Sequence, residues 1–194
     1  MIFFNKQFLD GDGTGEALGD FWATVRRLED PRLDGHDLAK PRWNRKAVPV
    51  SIHGDAVPCL AIGRHGTKSY NVYSVAGLLA SGPTIAQKLC LFGNFVDNEI
   101  EGEDADFGHA VWERVLWSLW FSYLGTWPTV DHKKEYPKGS PEAEKAGQPL
   151  AGGHFFLIWS VKADLDHLAK AFDLSHCGPL TPCSLRPASA DAKQ

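Results

Sequence analysis

The chain has 194 residues, of which 43% are hydrophobic and 23% are charged, as is typical of a single globular domain. Its formal net charge of −4 gives no overall attraction to phosphate groups, so a nucleic-acid role would need a local basic patch or metal ions. The N-terminus lacks the pattern of a secretory signal, and the most apolar run, 115–124, is too short to span a bilayer. We therefore expect an intracellular protein, nuclear or cytoplasmic, that is neither secreted nor in the membrane.

The first half of the chain predicts one helix followed by three strands. Residues 1–46 are rich in Asp, Gly and Arg, contain a predicted helix at 19–28, and are interpreted as a poorly packed lead-in. A strand at 48–55 and a second at 58–63 are joined by a tight turn, which indicates a hairpin. The alternating segment 68–75 predicts a third, antiparallel strand.

The second half predicts helices around one buried strand. A helix is expected at 84–92, and a stronger one at 107–123, where apolar residues recur at helical spacing and predict a largely buried element. The apolar segment 155–161 predicts a strand covered on both faces, and 165–172 predicts a helix after it. The tryptophans in these elements are expected in the core: Trp112, Trp117, Trp120 and Trp159.

The order of these elements is that of a ribonuclease H-like fold. Such a fold begins with a three-stranded antiparallel meander, and a helix then crosses to a fourth, parallel strand that lies beside the first. The sequence thus predicts an α/β fold with a partial ribonuclease H-like core at 47–187, after the lead-in segment 1–46 and before a disordered tail at 188–194.

Asp55 and Asp164 are the candidate catalytic residues, because each is predicted just past the end of a buried strand. Neighbouring strands would bring the two carboxylates together, and hard oxygen ligands of this kind suit Mg²⁺ or Mn²⁺. Two such ions would activate a water or hydroxyl and stabilise the leaving oxygen in phosphodiester cleavage. Asp166 is a lesser candidate ligand. The alternative is structural, with Asp164 as a helix N-cap and Asp55 as a turn residue.

Short stretches of the chain between Pro49 and Pro187 resemble the transposase core of the En/Spm (CACTA) class and of related multicopy mobile-element proteins. The matching stretches are 53–58, 69–74, 163–166 and 182–185. The resemblance implies DNA as substrate, an acidic residue at the end of the first strand, a second acid after the fourth, and a Cys-x-x-Cys pair downstream.

The chain departs from this family pattern in two places. Arg186 stands where the second cysteine of the pair is expected, and a third acidic residue on a later helix has no candidate beyond Asp191. We therefore expect a fragment or decayed copy that is inactive alone. The alternative function is that of a non-catalytic globular remnant, or a binding protein of unknown role.

Weaker patterns predict other ligands. His176, Cys177 and Cys183 are ligand types that suit zinc, although no intact zinc-binding spacing joins them, and without a signal peptide the cysteines are expected as thiols. Residues 10–16 resemble the start of a calcium-binding EF-hand loop, but Phe21 occupies the position of the closing Glu.

A basic and aromatic cluster is formed by Arg42, Trp43, Arg45 and Lys46, with Lys40 nearby. Such a cluster can hold a phosphate backbone while a base stacks on the indole ring, which makes it the candidate nucleic-acid-binding segment. The alternative is a solvated linker. The sequence does not indicate an oligomeric state.

Overall fold

The computed structural model describes residues 8, 15–34, 43–61, 67–82, 88–95 and 104–163. The surroundings of side chains are described for 8, 15–34, 43–55, 72–82, 110 and 112–163. The helices are α1 (Glu16–Arg27), α2 (Asp104–Leu124) and α3 (Pro141–Lys145), and the strands are β1 (Ala47–Ala61), β2 (Thr67–Gly77), β3 (Lys88–Phe95) and β4 (Phe155–Lys162). Short 3-10 turns cover Pro31–Leu33, Trp43–Arg45 and Leu150–Gly153. The fold is therefore mixed α/β.

The four strands form one sheet in the order β3-β2-β1-β4. The Phe155 amide donates to the Lys46 carbonyl at 3.0 Å, so β1 and β4 start side by side and run parallel. The Leu78 amide donates to the Pro49 carbonyl at 2.9 Å, so the end of β2 lies beside the start of β1, and these strands are antiparallel. The predicted adjacency of the first strand and the strand at 155–161 is confirmed.

The chain divides into two compact units. The first comprises residues 1–51, 75–89 and 98–160, and the second comprises 52–74, 90–97 and 161–194. The first unit contains the three helices and an aromatic core. The second contains the part of β1 that carries Asp55.

Helix α1 occupies the centre of the aromatic core of the first unit. Its buried residues Leu18, Trp22 and Val25 follow helical spacing, so they share one face. The Trp22 indole donates to the Ala47 carbonyl at 2.8 Å, which joins α1 to the start of β1. This core is formed by Trp22, Val25, Trp43, Ala47, Phe155, Leu157 and Trp159. The expectation that the segment 1–46 packs poorly is therefore wrong for α1.

The predicted hairpin between 48–55 and 58–63 is wrong, because β1 runs without interruption from Ala47 to Ala61. A two-residue hairpin turn needs residues that adopt positive φ, usually Gly or Asn. Ala56 and Val57 stand at the supposed turn, and β-branched valine favours an extended backbone. The strand predicted at 68–75 is confirmed as β2.

The helix predicted at 84–92 is also wrong, because residues 88–95 form strand β3 beside β2. Residues 83–87 lie outside the described part of the chain. A short apolar run satisfies helix and strand periodicity almost equally, and pairing with a neighbouring strand then decides between them.

Helix α2 confirms the helix predicted at 107–123, but it is not largely buried. Leu119 and Ser122 are buried, whereas Leu116 is 59% exposed and Trp120 is 56% exposed. The core position expected for Trp120 is therefore wrong, while Trp159 is buried as predicted. Among the described helices, none is both long and apolar enough to cross a membrane.

Several predicted features lie outside the described residues. They are residues 10–14 of the calcium-like loop, the helix at 165–172 and the tail at 188–194. The described part of the calcium-like segment includes Gly15, which has a φ of 77° and precedes α1, and Glu16, the first helical residue. Phe21 lies within α1 and packs against the core.

Candidate functional site

Asp55 is an exposed residue within strand β1, eight residues after Ala47 and six before Ala61. Its neighbour Gly54 is buried and His53 is half-buried, so the Asp55 carboxylate belongs to a surface of the sheet. The prediction that Asp55 follows the end of a strand is wrong, since the strand continues past it. The turn role considered as its alternative is excluded for the same reason.

The partner proposed for Asp55 lies just beyond the described residues. Strand β4 ends at Lys162, and Ala163 is the last residue described before Asp164. Asp166 and the predicted zinc ligands His176, Cys177 and Cys183 also lie outside the described part of the chain.

The register of β1 and β4 relates Asp55 to the end of β4. In a parallel pair, an amide bonds the carbonyl of the residue before its partner, so the bond from Phe155 to Lys46 pairs Phe155 with Ala47. Asp55 is eight residues after Ala47, and Ala163 is eight residues after Phe155. Where this register continues, Asp55 lies opposite Ala163, the residue that precedes Asp164.

The donor chemistry of Asp55 fits a hard divalent cation. Mg²⁺ is usually held by one or two carboxylates while it retains several waters, and an exposed carboxylate leaves room for those waters. Within the described residues, no group of three or more His, Cys, Asp or Glu side chains is arranged to hold a metal ion. A site of three or more such side chains at Asp55 would therefore need ligands from outside the described residues, where Asp164 lies.

The predicted nucleic-acid-binding segment is described from Trp43 onward, and Arg42 lies outside the described residues. The Trp43 ring is only 7% exposed and lies 5.4 Å from the Trp22 ring, centroid to centroid. The Arg26 guanidinium carbon lies 4.7 Å from the Trp43 ring centroid. A stacking base needs a free ring face, so the base-stacking role predicted for Trp43 is not available.

The charged residues of the same segment remain accessible. Arg45 is exposed, and the Lys46 ammonium donates to the Gly152 carbonyl at 3.0 Å. Arg26 and Arg27, in the last turn of α1, are exposed as well. Sequence reasoning did not connect these two arginines with Arg45, because no local pattern links residues so far apart in the chain. The contact of the Arg26 guanidinium with the buried Trp43 ring joins the end of α1 to this segment.

In comparisons with known proteins, the chain matches no family model, no curated protein and no solved structure. Its function must therefore be argued from its own residues and their geometry.

Proposed function

We propose that the chain carries a partial ribonuclease H-like core of a mobile-element transposase, related in its residues to the En/Spm (CACTA) class. Its ancestral reaction would be metal-dependent cleavage and transfer of DNA strands. Asp55 and Asp164 would be the metal-binding pair, with Asp166 as a further candidate. The observation that carries this proposal is the parallel pairing of β1 with β4.

Three features of the sheet support the proposal. The order β3-β2-β1-β4 keeps the consecutive strands β1, β2 and β3 adjacent and sets β4 on the free side of β1. Helix α2 precedes β4 in the chain, and the connection between two parallel strands usually contains a helix. Where the register set by Phe155 and Lys46 continues to the end of β4, Asp55 would lie opposite the residue before Asp164.

The two carboxylates would act by holding and orienting metal ions at the sheet surface. A bound pair of Mg²⁺ or Mn²⁺ ions would supply Lewis acidity at the attacking and leaving oxygens of a phosphodiester. The contribution of Asp55 is a fixed anionic ligand, since a strand in the interior of a sheet restrains its backbone more than a loop would. The third acidic residue of the family pattern has no candidate beyond Asp191, so we expect the activity of the chain alone to be low or absent.

A magnesium titration followed by thermal unfolding tests the metal site at Asp55. A ligand that binds only the folded state at about ten times its Kd should stabilise that state by about 1.4 kcal/mol. We expect the melting temperature of the wild-type chain to rise at millimolar Mg²⁺ and that of Asp55→Asn to stay constant. Asp20→Asn, which removes an exposed carboxylate from α1, is the matched control and should respond like wild type.

Equal Mg²⁺ responses of the wild type and Asp55→Asn would remove Asp55 from any metal site. An unchanged melting temperature in the wild type would favour the alternative, a non-catalytic globular protein. An experimental structure in which the two carboxylates lie more than about 10 Å apart would also end the proposal, because paired catalytic metals lie about 4 Å from each other.

A further inference from the structure

The tertiary structure brings two separate segments with cationic side chains to the same aromatic core. Arg26, Arg27 and Arg45 are exposed, and Lys46 is half-buried. Arg26 and Arg27 end helix α1, whereas Arg45 and Lys46 follow Trp43 in the turn before β1. We call these four residues the basic surface. The Trp43 ring joins the two segments, since it packs against Trp22 of α1 on the inside and lies under the Arg26 guanidinium.

We infer that the basic surface binds the phosphate backbone of duplex DNA, and that the role of Trp43 is to hold Arg26 in place. The identification of the anion as DNA rests on the function proposed above. Binding itself requires neither Asp55 nor a metal ion.

The three arginines of this surface differ from other cations in the described part of the chain, which form ion pairs. Among the described residues, no carboxylate lies within ion-pair distance of Arg26, Arg27 or Arg45. Arg32, by contrast, is 2.6 Å from the Asp30 carboxylate, and Lys133 is 3.6 Å from that of Glu113. Arginines without a carboxylate partner among the described residues, in a chain of net charge −4, form the kind of local positive region that a phosphate ligand requires.

The helix dipole alone does not account for this arrangement. Cations in the last turn of a helix offset the partial negative charge of its free carbonyl groups, which explains Arg26 and Arg27. Arg45 lies outside α1, at the last position of the 3-10 turn Trp43–Arg45, so the dipole of α1 does not explain it. It stands two residues after Trp43, whose ring lies under the Arg26 guanidinium.

The side chains favour a nucleic acid over a lipid surface. The guanidinium group offers a planar fork of donors that matches phosphate oxygens, and three of the four cations here are arginines. Binding at a membrane interface usually adds exposed aromatic residues, yet Trp22 and Trp43 are turned into the core. Since the buried Trp22 and Trp43 rings offer no free face on which a base could stack, the expected binding is to the backbone and independent of sequence.

The test is duplex binding at several salt concentrations in buffer with EDTA, using two unrelated duplexes of about 20 base pairs. Arg27→Gln/Arg45→Gln removes two cations without touching the Trp43 ring. Arg114→Gln/Lys134→Gln removes two exposed cations outside the basic surface and is the matched control. We expect the first variant to bind both duplexes roughly tenfold more weakly, with the slope of log K against log salt reduced by about 2. The control should bind like wild type.

A third variant, Arg26→Gln, should also bind the duplexes more weakly than wild type. Its melting temperature shows whether the packing of the Trp43 ring is preserved. Loss of affinity that is equal in the Arg27/Arg45 variant and in the control would overturn the inference, as would no duplex binding by the wild type. Binding to anionic phospholipid vesicles but not to DNA would overturn it too. Because the assay is run in EDTA, duplex binding is measured without the metal ion that Asp55 would hold, so failure of the metal site and failure of the basic surface give different results.

Discussion

Helices α1 and α2 both carry tryptophan, but their indole rings meet very different surroundings. Trp22 of α1 is fully buried, donates its indole hydrogen to the Ala47 carbonyl, and lies 5.3 Å from the Trp159 ring, centroid to centroid. Trp120 of α2 is 56% exposed and stacks against Tyr123 of its own helix at 5.7 Å. Tryptophan content therefore does not identify the helix that organises the core.

The difference lies in what each helix packs against. Helix α1 is covered by β4 and by the turn at Trp43–Arg45, so its apolar face is enclosed by other aromatic side chains. Helix α2 contributes Tyr123 to the edge of the same cluster, while Leu116 remains exposed. A short helix with a narrow apolar face is thus more important to this core than a longer and more apolar one.

The largest expected effect comes from truncating the two tryptophans. Trp22→Ala should destabilise the fold by about 3–5 kcal/mol, because it opens a cavity and leaves the Ala47 carbonyl without its donor. Trp120→Ala, the matched variant on α2, should cost less than about 1 kcal/mol, since most of its ring is already in solvent. Chemical denaturation measures both, and similar costs would show that the two helices do not differ as described.

Replacing two glycines, Gly77 and Gly19, with alanine should change the stability of the fold by an intermediate amount and in opposite directions. A Cβ at Gly77, the last residue of β2, would overlap the Phe8 carbonyl, whereas a Cβ at Gly19 of α1 would meet nothing within 4 Å. Gly77→Ala should therefore destabilise the fold by about 1–3 kcal/mol. Gly19→Ala should stabilise it by about 0.5–1 kcal/mol, because alanine restricts the unfolded chain and favours a helix interior. Melting temperatures that move in the same direction would contradict this contrast.

The smallest effect concerns the turn that follows α1. The side chain of Arg32 and, second, its backbone amide donate to the Asp30 carboxylate, and they lower the pKa of Asp30 from 3.8 to about 2. A lowered folded-state pKa means that the contribution of this pair is present above pH 3.8 and is lost as the pH falls towards 2. In Arg32→Gln the pKa of Asp30 should rise towards 3.8, as followed by carboxyl NMR. An unchanged midpoint would show that Arg32 does not cause the shift.

Arg32 also lies over the Trp159 ring, with its guanidinium carbon 4.1 Å from the ring centroid, and donates to the Trp159 carbonyl at 3.3 Å. The same variant should therefore loosen the contact between this turn and β4. Arg114→Gln, which changes an exposed arginine of α2, controls for the change of charge and should leave the Asp30 titration unaltered.

Local patterns in the sequence were sufficient where one physical signal dominated. Helix α1 follows from its apolar spacing and from the prolines after it, and β4 follows from the run Phe155–Lys162, whose length and bulky side chains suit a strand. The adjacency of β1 and β4 followed from the order of the elements. The errors at 84–92 and 55–58 arose where apolar periodicity or a presumed turn left two conformations close in energy.

For the candidate site too, some features followed from the sequence and others only from the tertiary structure. The sequence alone determined that Asp55 and Asp164 are acids associated with the first strand and the strand at 155–161, because residue order and apolar runs are properties of the chain itself. Only the tertiary structure decided that Asp55 stands within a strand and that Trp43 is buried beneath Arg26. Both depend on packing between residues distant in sequence, and no local preference encodes which surfaces meet.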